Sequence, residues 1–446
     1  MNLIAHALDL GLRAFEAWPT SPAPWRLVAR LMGSASGSFF SPARVRALQW
    51  IRLRRIVRYA YDHSPFYRES FEALRLRPSD LRRQADCTQI PFTSAHDLRD
   101  WQQFLAVSED RLSAVFTTSG TTGEPKRMYY TARELNALSN VGSLGLRLRI
   151  PGRLVALLAL PPGLWMGTGE AQRVVERAGG FGLPVGAPDP ALVVTHVRRF
   201  APNVVITSPS FMVALTREAE RQNFRIKLEA ILVGGETLTR QHVERFRDFW
   251  DAPTYNSYGS TEIGGGQTMA LPTCECLHLN GLQLFTEIID PDTGLPADEG
   301  ELVFTPTVRE AMPLLRYRSG DLARWSHCNC WLPFGSIILA GRADDMIVAG
   351  DMNFFGHVLG EAAGRAKGAT GRLAISVDKI DLTDRLRLRV EGGGVSVAEV
   401  RANLFAAYPE LPHNLSIGNI RLDIETDAWL NDQFKAVRIV DRRESV

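Results

Sequence analysis

The alternation of short apolar runs with helical stretches, from about residue 112 to residue 340, constrains the fold most. The clearest apolar runs are Leu154–Leu160, Val204–Thr207 and Ala230–Gly234. Helical stretches such as Ala191–Phe200 and Thr239–Trp250 lie between these runs or just after them. Strands that alternate with helices in this way predict an α/β architecture with a largely parallel sheet.

The length of the chain predicts more than one domain. A chain of 446 residues exceeds the usual size of one hydrophobic core, so we expect roughly two or three domains. Residues 1–110 are predicted to be mainly helical, and Leu282–Ile289 and Gly300–Thr305 to form a hairpin. After Gly341 the composition changes to short mixed elements. We therefore predict a large N-terminal domain over residues 1–341 and a small α+β C-terminal domain over residues 342–446.

Charge and hydropathy exclude some classes of partner. The net charge is +2, and basic residues are interspersed with acidic ones, so neither nucleic acid nor an anionic membrane is an expected partner. The most basic stretch, Arg44–Arg58, predicts an amphipathic surface helix. The longest apolar stretch, Leu154–Met166, is too short to span a bilayer. The N-terminus shows no convincing signal-peptide cleavage site, so we predict a cytoplasmic protein. The oligomeric state is left open, a homodimer included.

The segment Thr117–Lys126 has the composition of a phosphate-binding loop. It holds five hydroxyls, two glycines and a lysine in ten positions. Glycines let backbone N–H groups approach a ligand, the hydroxyls add donors, and the lysine adds a mobile positive charge. It is not a Walker loop, because the sequence contains no Gly-Lys pair. A polar surface turn is the alternative. The candidate phosphate contacts are Ser119, Gly120, Thr121, Thr122, Gly123 and Lys126.

Two further clusters have groups that suit a nucleotide. In Tyr258-Gly259-Ser260-Thr261-Glu262, hydroxyl donors stand beside a carboxylate that could hold Mg²⁺, and the tyrosine ring could stack on a purine. The second cluster is Arg316–Asp321, followed later by Gly341–Asp345. Here Asp321 could accept hydrogen bonds from both ribose hydroxyls, and Arg342 could add a charge-assisted contact. A strand-end turn and a surface salt bridge are the respective alternatives.

Four of the five cysteines form two Cys-x-Cys pairs, Cys274 with Cys276 and Cys328 with Cys330. In a cytosolic chain, paired cysteines favour metal over disulfides. With the flanking His278 and His327 they offer four thiolates and two imidazoles, enough for a closed tetrahedral site, so we predict structural Zn²⁺ with Cys274, Cys276, His278, Cys328 and Cys330 as candidate ligands. Because Cys-x-Cys is less typical of zinc sites than Cys-x-x-Cys, the prediction leaves open that one cysteine of the first pair does not bind the ion. Free buried thiols are the alternative.

Four motifs follow one another in the chain: the loop Thr117–Lys126, Tyr258–Glu262, Tyr317–Asp321 and Gly341–Asp345. Their order resembles the adenylate-forming superfamily of acyl-CoA ligases, and most closely its phenylacetate-CoA ligase branch. The similarity extends from about residue 50 to residue 443. The resemblance implies a large N-terminal AMP-binding domain with mixed and parallel sheets and a small mobile C-terminal domain. Further similar segments are Tyr59–Tyr67, Ile90–Leu98, Ser208–Ser210, Gly234–Glu236, Arg309–Arg318 and Phe434–Arg443.

The resemblance also implies roles for matching positions. Ser119 through Lys126 would hold the β- and γ-phosphates of ATP, with Tyr258 near adenine, Thr261 near the α-phosphate and Glu262 on Mg²⁺. Asp321 and Arg342 would hold the ribose. Asp344 would be the hinge of the small domain, and Lys435 would bridge the substrate carboxylate and the α-phosphate. The implied zinc site lies near Cys276 and Cys328–Cys330. The remaining nucleotide-binding positions are Gly235, Glu236, Gly259 and Ser260.

The implied activity is ATP-dependent activation of an organic carboxylic acid, aryl or small, to an acyl-AMP. Coenzyme A would then accept the acyl group as a thioester. Two alternatives remain open: transfer to an amine, a carrier-protein thiol or another nucleophile, and a catalytically inactive nucleotide-binding regulator. The acid pocket is expected to draw on Pro161–Gly169, Ser208–Phe211 and Gly234–Glu236. Trp165 and Met166 would line this apolar site or belong to the core.

The chain departs from the branch pattern at three places. Phe434 precedes Lys435, where the family usually has glycine. Gln283 stands where the branch often has histidine, which leaves His278 or Cys274 to supply a replacement zinc ligand. Asp351–Phe355 keeps only part of the usual pattern of the small domain.

Overall fold

Two compact units make up the chain, and each is assembled from separated segments of sequence. The first unit consists of Met1–Gly120, Glu124–Pro184 and Tyr255–Gly341, and the second mainly of Val185–Thr254 and Arg342–Val446. The predicted boundary after Gly341 coincides with one of these limits, and the predicted division into residues 1–341 and 342–446 stays a prediction. The computed structural model describes residues 2–19, 41–117, 126–161, 163–186, 189–236, 238, 240–270, 274, 276–342, 346–426 and 437–443.

Helices and strands occur throughout the described residues. The helices are α1 Asn2–Glu16, α2 Pro42–His63, α3 Pro65–Ala73, α4 Ala132–Arg149, α5 Met166–Arg177, α6 Pro190–Phe200, α7 Pro209–Arg221, α8 Arg240–Trp250, α9 Gly356–Gly364, α10 Val397–Ala407 and α11 Leu411–Ser416. The strands are β1 Leu112–Thr117, β2 Arg127–Thr131, β3 Val155–Ala159, β4 Phe181–Pro184, β5 Val204–Thr207, β6 Ala230–Gly234, β7 Thr254–Ser257, β8 Gly259–Ser260, β9 Gly265–Gly266, β10 Thr268–Met269, β11 Leu277–Leu279, β12 Leu284–Ile289, β13 Glu299–Pro306, β14 Tyr317–Ser326, β15 Ser336–Arg342, β16 Met346–Ala349, β17 Met352–Phe355, β18 Ala369–Ile380, β19 Thr383–Gly392, β20 Ile420–Glu425 and β21 Val437–Asp441.

Parallel pairing confirms the predicted α/β architecture. In the first unit β3 pairs with β4 in parallel, and in the second unit β5 pairs with β6 in parallel. A helix follows β3, β5 and β6, as the alternating pattern predicts. These strands are short apolar runs and mostly buried, because parallel strands covered by helices have no solvent face.

Antiparallel sheets position most of the candidate site residues of the first unit. A six-stranded sheet runs in the order β10-β11-β15-β14-β13-β12, and its β12–β13 pair is the predicted hairpin. A separate hairpin joins β1 to β2, and Thr117 pairs with Arg127 at the end where the connecting loop begins and ends. The predicted phosphate loop connects these two strands, so the hairpin fixes both ends of the loop.

Helix α2 confirms the predicted basic amphipathic helix. Ser41 caps its first turn by accepting from the N–H of Arg44, and Pro42 occupies its first position. One face carries the buried residues Val45, Leu48 and Ile56. Arg52 is also buried, because Asp9 and Glu16 of α1 surround its guanidinium. The helix therefore packs against α1 through both apolar contacts and a charged cluster.

The C-terminal part of the second unit contains a four-stranded mixed sheet. Its order is β20-β19-β18-β21, with β18 and β19 antiparallel and the two outer pairs parallel. Alternate residues of the central strands, including Leu373, Ile375, Leu386 and Leu388, form a core with the helices. Across the described residues of both units, no helix combines the length and apolarity that a membrane span requires.

Candidate active site

The centre of the candidate site is a cluster of Lys126, Glu262 and Tyr317. Lys126 Nζ lies 2.5 Å from Glu262 Oε1, and the Tyr317 hydroxyl donates to the same oxygen at 2.9 Å. Lys126 comes from the end of the predicted phosphate loop, Glu262 from the turn after β8, and Tyr317 from the start of β14. The fold thus joins three of the motifs that the sequence analysis treated separately.

Glu262 is held as a carboxylate. Burial opposes its ionisation, but the charge of Lys126 and the hydrogen bonds from Lys126 and Tyr317 outweigh burial and lower the pKa of Glu262 to about 2. An ionised oxygen-donor ligand is what a hard cation such as Mg²⁺ requires. The environment of Glu262 therefore agrees with its predicted use as a magnesium ligand.

A tight hairpin carries Thr261 and Glu262. Gly259 and Ser260 pair with Gly266 and Gly265, and a Cβ added at Gly259 would lie 1.8 Å from the carbonyl oxygen of Gly265. Only glycine fits at this close backbone approach. The Thr261 carbonyl accepts from the buried hydroxyl of Tyr130. The turn that presents Glu262 is therefore fixed by backbone packing as well as by side-chain bonds.

Tyr258 and Asp321, which the sequence analysis assigned to adenine and ribose, lie in contact. The Tyr258 hydroxyl donates to Asp321 Oδ2 at 2.6 Å, and the Tyr258 N–H donates to Thr268 Oγ1 at 2.6 Å. The Asp321 N–H donates to Ser319 Oγ at 3.0 Å. The two residues predicted to contact the nucleotide therefore lie side by side, with Asp321 on β14 and Tyr258 just before β8.

The other predicted nucleotide positions belong to the second unit. Arg342 is the last residue of β15. Gly235 has φ +84°, and Glu236 Oε2 accepts from the backbone N–H and the hydroxyl of Ser210 at 3.0 and 2.6 Å. Burial raises the pKa of Glu236, and burial together with Glu236 raises the pKa of Asp351, whose N–H donates to Glu236 Oε1. The predicted roles of Gly235, Glu236 and Arg342 stay predictions.

Part of the predicted site falls on residues that lie outside the described part of the chain. These residues are Ser119, Gly120, Thr121, Thr122, Gly123 and Lys435, together with Asp344 and Phe434. Their roles therefore stay predictions from the resemblance.

Sequence reasoning gave no role to Tyr317 or to Arg309. Arg309 is fully buried, donates to the carbonyls of Glu262 and Tyr129 at 3.1 Å, and lies 3.8 Å above the ring of Tyr130. It therefore positions the backbone of the Glu262 turn. The only signal in the sequence was the similarity of Arg309–Arg318 to the branch, which does not say which side chain points inward.

Four of the five predicted zinc ligands converge. The ligand atoms of Cys274, His278, Cys328 and Cys330 all lie within 4.8 Å of one another. Cys274 Sγ lies 3.2 Å from Cys328 Sγ, and Cys330 Sγ lies 3.2 Å from His278 Nε2. Three thiols and one imidazole match a closed Cys₃His zinc set in number and chemistry. Burial opposes the ionisation of Cys328, but hydrogen bonds from Cys274 and other neighbours outweigh burial and lower its pKa to about 6.

Cys276 and Gln283 stand outside this set of four. Cys276 is buried, with its sulfur 3.8 Å from His278 Nε2. Gln283 stands where the branch often has histidine, and its side-chain amide donates to Glu16 Oε1 and to the Ala137 carbonyl, both at 2.9 Å. The geometry thus gives both Cys274 and His278 to the cluster, and Gln283 serves the contact with helix α1 instead.

Comparisons with known proteins identify a matching family and similar proteins. The model of the family described as AMP-binding enzyme matches residues 62–306. A phenylacetate-coenzyme A ligase of Aromatoleum evansii is 29% identical over 428 residues, which cover 90% of this chain and 96% of the relative. Another, of Thermus thermophilus, is 32% identical over 333 residues, 70% of this chain and 73% of the relative.

A solved structure with the same fold is 2-hydroxyisobutyryl-CoA ligase in complex with 2-HIB-AMP and CoA. It aligns with a TM-score of 0.77 at 22% identity and covers 96% of this chain and 95% of that chain. At this identity the likeness concerns the fold. It covers nearly the whole of both chains, so the two share the complete architecture.

Proposed function

Because the chain belongs to the family of AMP-binding enzymes, in its phenylacetate-CoA ligase-like branch, it is an AMP-forming acid–CoA ligase, and we propose that its substrate is a small aryl carboxylic acid. In the first step a carboxylate oxygen attacks the α-phosphorus of ATP, the bond to the bridging oxygen of the β-phosphate breaks, and pyrophosphate leaves. In the second step the sulfur of CoA attacks the acyl carbon, AMP leaves, and the thiol proton passes to solvent.

The observation that carries the aryl proposal is the exposure of two apolar side chains beside the phosphate loop. Leu164 and Trp165 are 54% and 39% exposed. The carbonyl of Leu164 accepts from the N–H of Thr117 at 3.0 Å, at the point where β1 enters the loop. Met166, in contrast, is buried in the core. An apolar wall next to a polar phosphate site is typical of a pocket for an acid with an apolar body. The curated relatives named as phenylacetate-CoA ligases support the same substrate class.

The described residues suggest how the nucleotide would be held. Lys126 would contact the β- and γ-phosphates, Thr261 the α-phosphate, and Glu262 would ligate Mg²⁺. The ion would supply positive charge that offsets the repulsion between the attacking carboxylate and the triphosphate. Binding requires Lys126 to exchange its ion pair with Glu262 for the phosphates. Tyr258 and Asp321, already hydrogen-bonded to each other, would receive the nucleoside, with Arg342 as a second ribose contact.

We also propose a structural zinc ion held by Cys274, His278, Cys328 and Cys330. The four donors leave no open position, so the ion would stabilise the connection between β14 and β15 against β11 and take no part in acyl transfer. His278 Nδ1 lies 3.4 Å from the carbonyl oxygen of Phe334, a contact that orients the ring.

ATP–pyrophosphate exchange across matched acids tests the proposal. Aryl, arylacetic and short aliphatic acids are compared at equal concentration, and the products are analysed with and without CoA. We expect exchange to be fastest with an aryl or arylacetic acid, and an acyl-CoA to form only when CoA is present. Exchange confined to aliphatic acids would overturn the aryl proposal. Acyl transfer to an added amine, with none to CoA, would overturn the proposed acceptor.

A further inference from the structure

Glu170 places a carboxyl group against the hairpin that carries Glu262. Glu170 lies in helix α5, directly after the segment expected to line the acid pocket. Its Oε2 accepts from the N–H of Gly266 at 2.9 Å. A Cβ added at Gly265, which has φ +84°, would lie 1.7 Å from the same oxygen. The absence of a side chain at Gly265 is therefore what lets this carboxyl reach the hairpin.

The Glu170 side chain is half-buried and its carboxyl is short of partners. Among the described residues no lysine, arginine or histidine pairs with it, and Gly266 supplies its one hydrogen bond. Burial raises the pKa of Glu170 to about 8, with only the Gly266 N–H favouring the charged form. A protonated carboxyl keeps acceptor capacity beside its single O–H donor, and an ionised one offers about four acceptor positions. One protein donor therefore leaves most of the acceptor capacity of this group unused.

Glu170 connects the segment expected to line the acid pocket with the hairpin that carries Glu262. The N–H of Gly266 that binds Glu170 lies four residues after Glu262. Burial is the main cause that raises the pKa of the Tyr130 hydroxyl, and the charges of both Glu262 and Glu170 add to it. That hydroxyl binds the carbonyl of Thr261, so Glu170 lies within electrostatic range of the adenylation residues. Earlier in the segment expected to line the acid pocket, the carbonyl of Leu164 accepts a hydrogen bond from the N–H of Thr117.

We propose that Glu170 determines acid specificity by accepting a hydrogen bond from a hydroxyl or amino substituent at the end of the substrate remote from the reacting carboxylate. The substrate class is then a small aryl acid with a hydrogen-bond donor on its ring. This inference rests on the proposed acid-activating function. An unsubstituted ring would leave the Glu170 carboxyl with the Gly266 N–H alone, whereas a donor on the ring would add a second hydrogen bond. The apolar Trp165 and the acceptor Glu170 thus divide the recognition of the ring and of its substituent.

Matched sets of acids test the inference: an unsubstituted arylacetic acid and its hydroxyl, amino and methoxy derivatives, and the same series of benzoic acids. The methoxy group accepts a hydrogen bond but cannot donate one. For the parent protein we expect kcat/KM in pyrophosphate exchange to be about tenfold or more higher for the hydroxyl or amino member than for the other two. Glu170→Gln should remove most of this ratio while retaining exchange with the unsubstituted acid.

The matched control is Glu176→Gln, an exposed carboxylate on the same helix, which should keep the parent ratio. The affinity of each acid is measured in parallel by calorimetry on the full-length protein. Equal rates and equal affinities within each set, or a preference for the methoxy member, would overturn the role of Glu170 and leave the enzyme function standing. No exchange with any acid would instead overturn the proposed function, and calorimetric selectivity would still decide whether Glu170 selects donors.

Discussion

At the scale of single residues, the chemistry depends on how charges are paired inside the candidate site. Glu262 lies in the short hairpin that Glu170 contacts, yet their surroundings shift the two pKa values in opposite directions. Lys126 and Tyr317 keep Glu262 ionised, whereas burial with a single backbone donor favours the protonated form of Glu170. Two carboxyl groups with such different surroundings are suited to different tasks, one to a metal ion and one to a neutral or cationic donor.

Lys126→Ala and Glu262→Gln should each lower acid-dependent pyrophosphate exchange by about 10²–10³-fold, because each removes a charge aimed at the triphosphate or its metal ion. Exchange kinetics with the best acid of the panel measure the loss. Lys227→Ala is the control, since this lysine is 73% exposed and pairs with Asp251 at the surface. A Lys126→Ala variant with the rate of the control would contradict the assigned phosphate contact.

The raised pKa of Glu170 predicts that the stability of the fold depends on pH. Its pKa is about 8 in the fold against an ordinary value of 4.5, so between these values the folded state binds a proton that the unfolded state has lost. Stability conferred at this position is therefore lost as the pH rises. Relative to Glu170→Gln, we expect the parent to lose about 1.4 kcal/mol of unfolding free energy per pH unit within this window.

Urea unfolding of the parent and Glu170→Gln from pH 5 to pH 8 measures that slope. Glu176→Gln should run parallel to the parent across the range. A constant difference between the parent and Glu170→Gln would mean that the Glu170 carboxyl is well solvated.

At the scale of elements, two contacts between segments far apart in sequence include polar side chains, charged ones in the first contact and thiols with an imidazole in the second. Arg52 of α2 bonds Asp9 Oδ1 at 2.8 Å, Glu16 Oε1 at 2.7 Å and the carbonyl of Leu282 at 2.8 Å, with no exposed side-chain surface. The second contact is the Cys/His cluster, which links β11 to the connection between β14 and β15. Both contacts lie within the first unit.

Arg52→Ala should lower the free energy of unfolding by about 3–5 kcal/mol, because it leaves the buried carboxylate of Glu16 without its cation and removes one of the two arginines that pair with Asp9. Urea unfolding followed by circular dichroism measures the change. Arg58→Ala is the matched control on the same helix, since the Arg58 side chain is 80% exposed and its pair with Asp62 should contribute about 1 kcal/mol at most. Equal effects of the two substitutions would show that the buried cluster does not anchor α1.

The Cys/His cluster predicts about one zinc ion per chain, measured by mass spectrometry of the purified protein. Cys330→Ser should remove most of the metal and lower the melting temperature, because it deletes one of four ligands. Cys276→Ser and Cys87→Ser should keep the metal, since neither sulfur belongs to the set of four. Metal loss in Cys276→Ser, with retention in Cys274→Ser, would exchange those two residues in the ligand set.

At the scale of the whole molecule, the resemblance predicts that a residue near the C-terminal end of the sequence takes part in the reaction. Lys435 precedes β21, and the resemblance gives it the contact that bridges the substrate carboxylate and the α-phosphate. Lys435→Ala should therefore lower pyrophosphate exchange by about 10²-fold or more. Lys367→Ala, an exposed lysine of the same unit, should retain the parent rate. Parent-like exchange in Lys435→Ala would contradict the assigned role.

The sequence by itself determined the clearest strands and helices of the α/β region and their order. The apolar runs at Val204–Thr207 and Ala230–Gly234 are strands with those same limits, and the hairpin around residues 290–299 is present. These features follow from local periodicity and from turn residues, which act over a few positions. The order of the four nucleotide motifs was equally readable, and it carried the family.

Only the tertiary structure decided which side chains meet. Lys126 and Glu262 are 136 positions apart, Tyr258 and Asp321 are 63 apart, and Glu170 and Gly266 are 96 apart. The structure likewise placed Cys274 in the set of four and Cys276 beside it, although the two share one short segment. Such contacts are set by strand register, by close backbone approach at glycine and by the packing of distant elements. A local pattern carries no information about these features, so the sequence could name the participants without pairing them.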